Sequence, residues 1–518
     1  MGHLRRAGVL FAVTALSLGV RSEHSTAEGP GGPDVIAFLH ATVIPMDAER
    51  ALPDHTVVVS HGEIVAIGPA SEVEVPVDAR RIDATGRYLI PALCDMHVHL
   101  LSEAWNIMLP PEVQATGRDV AVEKGLFSYV ANGVTTVQEL FATPEGIALR
   151  QRITRGELLG PRLILARALD GPKKGWPPPL TTWVESAPQA REAVRDAKAA
   201  GYDKIKVYSF LDRQSYDSIT STARELGMDV IGHVPMSLSV EYVLDAGQRL
   251  ITHSEEVAKH AGGNYSAERI DYFASRMAER GVWMTPTLVT TQSLLELFDN
   301  PDRVLARPEV AYFRHPRQAG VWSFMIEKLY LPIPAKARQQ LREAFEEFQR
   351  PLTKAFHGKG GRLMAGTDSL LPGLVPGFAL HRELKELVDV GMTPFEALRT
   401  STTRPFEYLG EIDSAGTIAV GKRSDLLLLE ANPLKDITAA SQVAGVLIRG
   451  RWVGTGEIKK RMKELAEPSR APGGPLPPAG ASPVAFRHST GQGPAPQVCV
   501  RRLTGQRSGR IMPSAPKG

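Results

Sequence analysis

The chain has 518 residues, 43% of them hydrophobic, enough for a large core and for more than one structural unit. Its 60 Lys plus Arg stand against 57 Asp plus Glu, a balance that gives no basic face for a polyanion and excludes nucleic acid as a partner. The two cysteines, Cys94 and Cys499, lie too far apart in sequence for a disulfide framework, so the redox compartment stays open.

At the N-terminus Arg5 and Arg6 precede an apolar run over residues 7–20, and Ser25-Thr26-Ala27 offers small residues at a cleavage position. Residues 1–27 are therefore expected to be a signal peptide, which implies a periplasmic or secreted protein; if they are not one, the chain is expected to be cytoplasmic. The run is too short to span a bilayer, and no later stretch has the unbroken apolar length, so no stable membrane insertion is expected. Residues 34–88 read as short strands, with His61-Gly62-Glu63 as a tight turn between two of them and a brief Glu/Val alternation before 80–90.

After Pro91 strands alternate with helices. Strands are expected at 89–96, 135–140, 162–168, 204–209, 229–234, 249–254, 282–288 and 363–367, with helices including 188–200, 215–226, 237–246, 266–279 and 335–357. That order predicts an α/β fold: a (β/α)8 TIM-like barrel over 89–410, with its chemistry at the C-terminal strand ends. Residues 289–361, between the seventh and eighth strands, exceed an ordinary connection and contain Trp322, Tyr330 and Leu331-Pro332-Ile333-Pro334. They read either as helical padding or as a segment overhanging the barrel mouth. Thr393 and Pro394 open a further helix as cap and first residue. Residues 411–456 return to short strands like those of 34–88, so both ends of the chain are expected to build one small β-sandwich domain. Residues 468–518, rich in Pro, Gly and Arg, read as a disordered tail.

In Pro91-Ala92-Leu93-Cys94-Asp95-Met96-His97-Val98-His99, alternate strand residues share a face, so His97 and His99 converge while Met96 and Val98 pack behind them. His233 follows the fifth strand, His253 the sixth and Asp368 the eighth. Singly, each reads as a hydrogen-bonded core histidine or a loop-capping aspartate. At successive strand ends of one barrel, imidazole plus carboxylate suits zinc or a similar divalent ion. Lys206, in Lys204-Ile205-Lys206-Val207-Tyr208, ends a buried strand, where an ammonium group is costly unless modified or paired.

These motifs, with ANGVTTV over 131–137, GHVP over 232–235, AGTDS over 365–369, Leu380-His381-Arg382-Glu383-Leu384, TPFEAL over 393–398 and GTIAVGKRSDLLLL over 416–429, resemble the metal-dependent amidohydrolase superfamily. Within it the likeness is to imidazolonepropionase-like proteins and Xaa-Pro or Xaa-Arg/Lys dipeptidases, across residues 35–453. The resemblance implies two divalent metal ions, zinc being expected, with His97 and His99 on the more buried ion and His233 and His253 on the more exposed one. Asp368 would ligate the first ion and shuttle the proton, and Lys206 would be N-carboxylated and bridge. Tyr208 and His233 would contact the reacting carbonyl, and His381 would stand in the pocket. Departures from the pattern are Ala92, Cys94, Glu139 and Thr252; none removes a ligand, so they bear on the substrate.

The expectation is a binuclear hydrolase of amide C–N bonds in dipeptides or N-acyl amino acids, using metal-activated water. The alternatives are an imidazolonepropionase-like cyclic-amide hydrolase, an esterase, lactonase or organophosphate hydrolase on the same site, and a barrel-fold binding protein without turnover. Deamination of a heterocycle ranks lower. The partner is a small-molecule or dipeptide substrate, and a homo-oligomer is compatible with the sequence. Gly358-Lys359-Gly360-Gly361 and Gly171-Pro172-Lys173-Lys174-Gly175 lack the spacing of a phosphate loop.

Overall fold

The computed structural model describes residues 35–467 apart from 101, 115–117, 173, 174 and 314. The expected signal peptide and the expected disordered tail lie outside the described residues.

Five strands come before the barrel: β1 (Val35–Val43), β2 (Leu52–Ser60), β3 (Glu63–Pro69), β4 (Arg80–Asp83) and β5 (Tyr88–Pro91). The β2–β3 turn is the one expected from the sequence. His61 and Gly62 both take positive φ, 50° and 80°, the primed geometry that matches the twist of a hairpin. The Glu/Val alternation that follows β3 forms no strand: Pro76 interrupts it, its glutamates face solvent, and Val73 and Val75 pack half-buried against Ala37, Val58 and Ala79.

The barrel strands are β6 (Leu93–Val98), β7 (Val134–Glu139), β8 (Arg162–Asp170), β10 (Lys204–Val207), β11 (Asp229–Gly232), β12 (Leu250–Thr252), β13 (Trp283–Thr285) and β14 (Arg362–Leu363); the two-residue β9 (Thr182–Trp183) pairs with β8 at its edge. Neighbours pair in parallel in chain order from β6 to β14. The residues after β14 return to β6: Met96 N donates to Ala365 O at 3.0 Å, Asp368 N to His97 O at 2.7 Å and His99 N to Ser369 O at 2.9 Å. The first and last strand ends thus meet, which makes the fold a TIM-like barrel.

After the barrel, β15 (Leu426–Leu429), β16 (Val443–Ile448) and β17 (Arg451–Gly454) join the first five strands in the order β17-β16-β15-β5-β1-β2-β3, with β4 beside β1. Both ends of the chain therefore build one sheet. Phe38 of β1 meets Trp452 of β17 edge to face at 5.2 Å in its core.

Several expected elements differ in detail. The strand expected over 89–96 divides into β5, in the small sheet, and β6, in the barrel, and the one expected over 363–367 pairs only as β14. The helix expected over 335–357 is interrupted: Ala335–Ala344 and Arg350–Gly358 flank a wide π-helical turn, Phe345–Gln349. Pro351 has no N–H and its ring crowds the carbonyl four residues back, which a widened turn accommodates. The seventh barrel strand ends at Thr285, because Pro286 stops pairing and Thr287 takes φ 48°.

The long segment between β13 and β14 is helical and packs over the barrel mouth. Trp322 Nε1 donates to Leu370 O at 2.8 Å, two residues beyond Asp368. Trp322, Met325 and Tyr330 share an apolar cluster with Trp105 and Phe141, which follow β6 and β7.

Candidate metal centre at the barrel mouth

The strand ends bring seven sequence-predicted residues together. His97 and His99, both buried, project from the end of β6. Asp368 Oδ1 lies 2.8 Å from His99 Nε2 and 3.2 Å from His97 Nε2. One ligand atom from each of these three residues falls within 4.8 Å of the others, a spacing that fits a divalent cation. His253 packs against His97 at 4.5 Å between ring centroids, and His233 against His253 at 5.2 Å. Tyr208 stacks on His233 at 4.0 Å. Lys206, 1% exposed, reaches in from β10 with its ammonium 4.7 Å from the Phe141 ring and 5.2 Å from the Tyr208 ring.

Backbone shape at the strand ends serves this convergence. His253 and Asp368 take φ of 67° and 53°, and their neighbours Thr287 and Leu370 take 48° and 106°. Such conformations cost non-glycine residues about 1–3 kcal/mol each and gather where a site must aim its side chains. Glycine is required beside two of the candidates. A Cβ on Gly232 (φ 119°) would lie 2.4 Å from Val207 O, and one on Gly366 would lie 2.8 Å from His97 Cβ.

The charge pattern suits cation binding. Burial raises the Asp368 carboxyl, but the imidazoles of His97 and His99 outweigh it and hold the group well below the usual carboxylate range. Burial drives His97 down to about 3, and it drives His233 and His253 well below the ordinary imidazole value, with the Lys206 cation adding to the effect. His99 goes the other way: burial pulls it down, yet Asp368 and Glu139 together raise it. Lys206 is lowered to about 8 by burial, against the pull of Asp368 and Glu139.

Buried ring nitrogens without hydrogen-bond partners test whether these residues fit a metal. They include His97 Nδ1 and Nε2, His99 Nδ1 and His233 Nε2. A buried polar atom left unpaired is costly, and a cation satisfies an imidazole lone pair. The donor set therefore fits a divalent cation.

Partners that sequence reading missed orient the candidates. Asp95, fully buried, accepts at Oδ1 from Thr367 N at 3.0 Å and His97 N at 3.3 Å, and at Oδ2 from the Thr367 hydroxyl at 2.6 Å. It ties β6 to the segment carrying Asp368, and burial pushes its carboxyl up to about 7. Its place two residues before His97, on the same strand face, was the available signal. Glu139 accepts from the backbone of Leu100 and from Phe141 N, and its Oε1 lies 3.7 Å from His99 Nδ1. Glu256 stands 3.1 Å from His233 Nδ1, opposite the Ser209 hydroxyl at 2.9 Å. The Thr287 hydroxyl is 2.7 Å from His253 Nδ1, so an N–H donated there leaves Nε2 with its lone pair inward.

His381 is placed apart. It lies on helix Phe378–Asp389 near the Asn132 backbone; both ring nitrogens are buried without a hydrogen-bond partner, and burial lowers it to about 4. Among the described residues, no hydrogen bond, ion pair or ring contact joins it to the other candidates.

A closed parallel barrel with imidazoles and carboxylates gathered at its C-terminal strand ends defines a class of barrel with a metal-binding mouth. Residues 88–453 match the amidohydrolase family, and the chain belongs to it. An adenine deaminase of Ruegeria sp. (strain TM1040) is 22% identical over 456 residues, covering 86% of this chain and 62% of that protein. An adenine deaminase of Ruegeria pomeroyi is 34% identical over 110 residues, 21% of this chain and 15% of the relative. The chain thus spans less than two thirds of these curated relatives. Among solved structures, a Xaa-Pro dipeptidase with bound methionine in the active site has a TM-score of 0.63 at 20% identity, covering 81% of this chain and 100% of that one. Bottromycin amidohydrolase has a TM-score of 0.64 at 22% identity, covering 84% and 91%. Both share the fold. Among the described residues no helix is long and apolar enough to cross a membrane.

Proposed function

We propose that the protein is a metal-dependent hydrolase of C–N bonds, acting on amides in small substrates such as dipeptides or N-acyl amino acids. The observation that carries this reading is the convergence of His97, His99, His233, His253, Lys206 and Asp368 on one mouth with unpaired ring nitrogens. In our reading they hold two divalent ions, zinc by the chemistry of the donors. A depressed amine supports N-carboxylation of Lys206, since only a neutral amine takes up carbon dioxide. The carbamate is an anion, so it replaces a costly buried cation with a group suited to bridge two metals.

Divalent ions bound here lower the pKa of water and polarise a carbonyl. Asp368, ionised at neutral pH, accepts the proton of the attacking water and passes it to the departing nitrogen. Glu139 and Asp95 hold His99, His97 and Asp368 in place for that transfer. Tyr208 is stacked on His233 and hydrogen-bonded by Trp176 Nε1 at 3.0 Å, which supports a role for both in contacting the substrate carbonyl.

Deamination is a second reading, favoured by the adenine deaminase match across 86% of the chain. A panel of dipeptides, N-acyl amino acids and aminopurines, assayed with bicarbonate present, separates the two. Release of amino acids that stops on chelation supports the amidase. Release of ammonia from the purines alone replaces it with the deaminase.

A further inference from the structure

The barrel mouth is walled with aromatic rings. Trp105, Phe141, Trp176 and Tyr208 follow β6, β7, β8 and β10, so four successive strand ends each supply one. Phe141 stacks on the candidate ligand His99 at 4.5 Å and lies 5.7 Å from Tyr208 and 6.2 Å from Trp176. Tyr208 in turn stacks on the candidate ligand His233 at 4.0 Å. The wall is thus continuous with both halves of the metal centre, and its half-buried members are Trp176 and Tyr208. Tyr330, from the segment over the mouth, belongs to the same apolar cluster.

We propose that this mouth takes amides carrying a bulky apolar group, aromatic by preference, on one side of the scissile bond. The inference deepens the C–N hydrolase reading and rests on it. A ring laid on this wall sits beside His99 and His233, within reach of the reacting bond, and gains edge-to-face contacts that a methyl group lacks. Water is displaced from the same surface, which strengthens the polar contacts at the metal centre.

The test compares kcat/KM for N-acetylglycine, N-acetylphenylalanine and N-phenylacetylglycine with the metal-loaded enzyme and its Trp176→Ala and Trp176→Phe variants. Binding of phenylalanine, phenylacetate, glycine and acetate is followed separately by calorimetry. Substituting Trp176 leaves the bonds that its backbone carbonyl receives from Thr181 and from Trp183 Nε1 but removes the one its own Nε1 donates to the Tyr208 hydroxyl, so Tyr208→Phe is assayed alongside to separate the loss of that bond from the loss of the ring. One aromatic substrate should exceed N-acetylglycine by about 100-fold. Trp176→Ala should cut that ratio about tenfold and Trp176→Phe should restore most of it. Equal kcat/KM for the three substrates overturns the inference and leaves the hydrolase reading standing. A preference untouched by Trp176→Ala overturns the assignment to this wall. No hydrolysis with saturable binding of phenylalanine or phenylacetate supports the wall and overturns the hydrolase reading on these amides; no hydrolysis and no binding overturns both.

Discussion

The two halves of the barrel mouth are held by different means. On the β6 side, His97 and His99 face a carboxylate directly, with Asp368 Oδ1 within 3.2 Å of both, and Asp95 fixes the backbones that carry them. On the opposite side, His233 and His253 are braced from behind by Glu256, Ser209 and Thr287, and they face Lys206, whose positive charge opposes their own protonation. The first half is already compensated in charge, while under the proposed reading the second would become so with a bound cation and a carboxylated Lys206. The comparison teaches that the halves should fail separately.

The largest effect is expected from Asp368→Asn. It removes the proton acceptor and should lower kcat by about 10²–10⁴-fold on any amide substrate found, with circular dichroism unchanged. Next, Glu256→Gln and Thr287→Val loosen only the second half. Each should weaken one metal site by about 10–100-fold in a chelator competition while the other site keeps its affinity. Equal weakening of both sites would erase the distinction between the halves.

The pH dependence of reconstitution sharpens it further. Burial lowers Lys206 to about 8, so its amine is mostly protonated below that pH and mostly neutral above it. With dissolved carbon dioxide held at the same concentration across the pH series, recovery of the metal-free enzyme on adding metal should therefore quicken by about tenfold per unit as pH rises towards 8 and level off above it. A rate that falls as pH rises would contradict the carbamate. The smallest effect is on stability. Asp95→Asn keeps one acceptor oxygen but presents an amide to the Thr367 hydroxyl, and should cost about 1–2 kcal/mol in a denaturant titration.

Much of this site was legible in the sequence because its rules are local. Period-two alternation put His97 and His99 on one face, and the strand-helix rhythm put His233, His253 and Asp368 at strand ends. Thr393 likewise forms the cap of its helix, closing a reciprocal box with Glu396. What stayed hidden depends on pairings across the barrel. Glu256 lies 23 residues beyond His233 and Thr287 lies 34 beyond His253, on separate elements that only the closed barrel brings together. Asp95 braces Thr367 from 272 residues away, so its place on the His97 face was visible locally while its partner was not. The packing of Trp322 and Tyr330 over the mouth was one of two readings the sequence left open, since helical periodicity shows that a face is apolar without showing what it covers.

The most direct test is metal stoichiometry by plasma mass spectrometry, on protein purified with bicarbonate and without chelator, beside a Lys206→Ala variant. Two unlike halves joined by a carboxylated lysine predict about two divalent ions per chain, falling to about one in the variant. About one ion per chain, unchanged in the variant, would contradict the binuclear site.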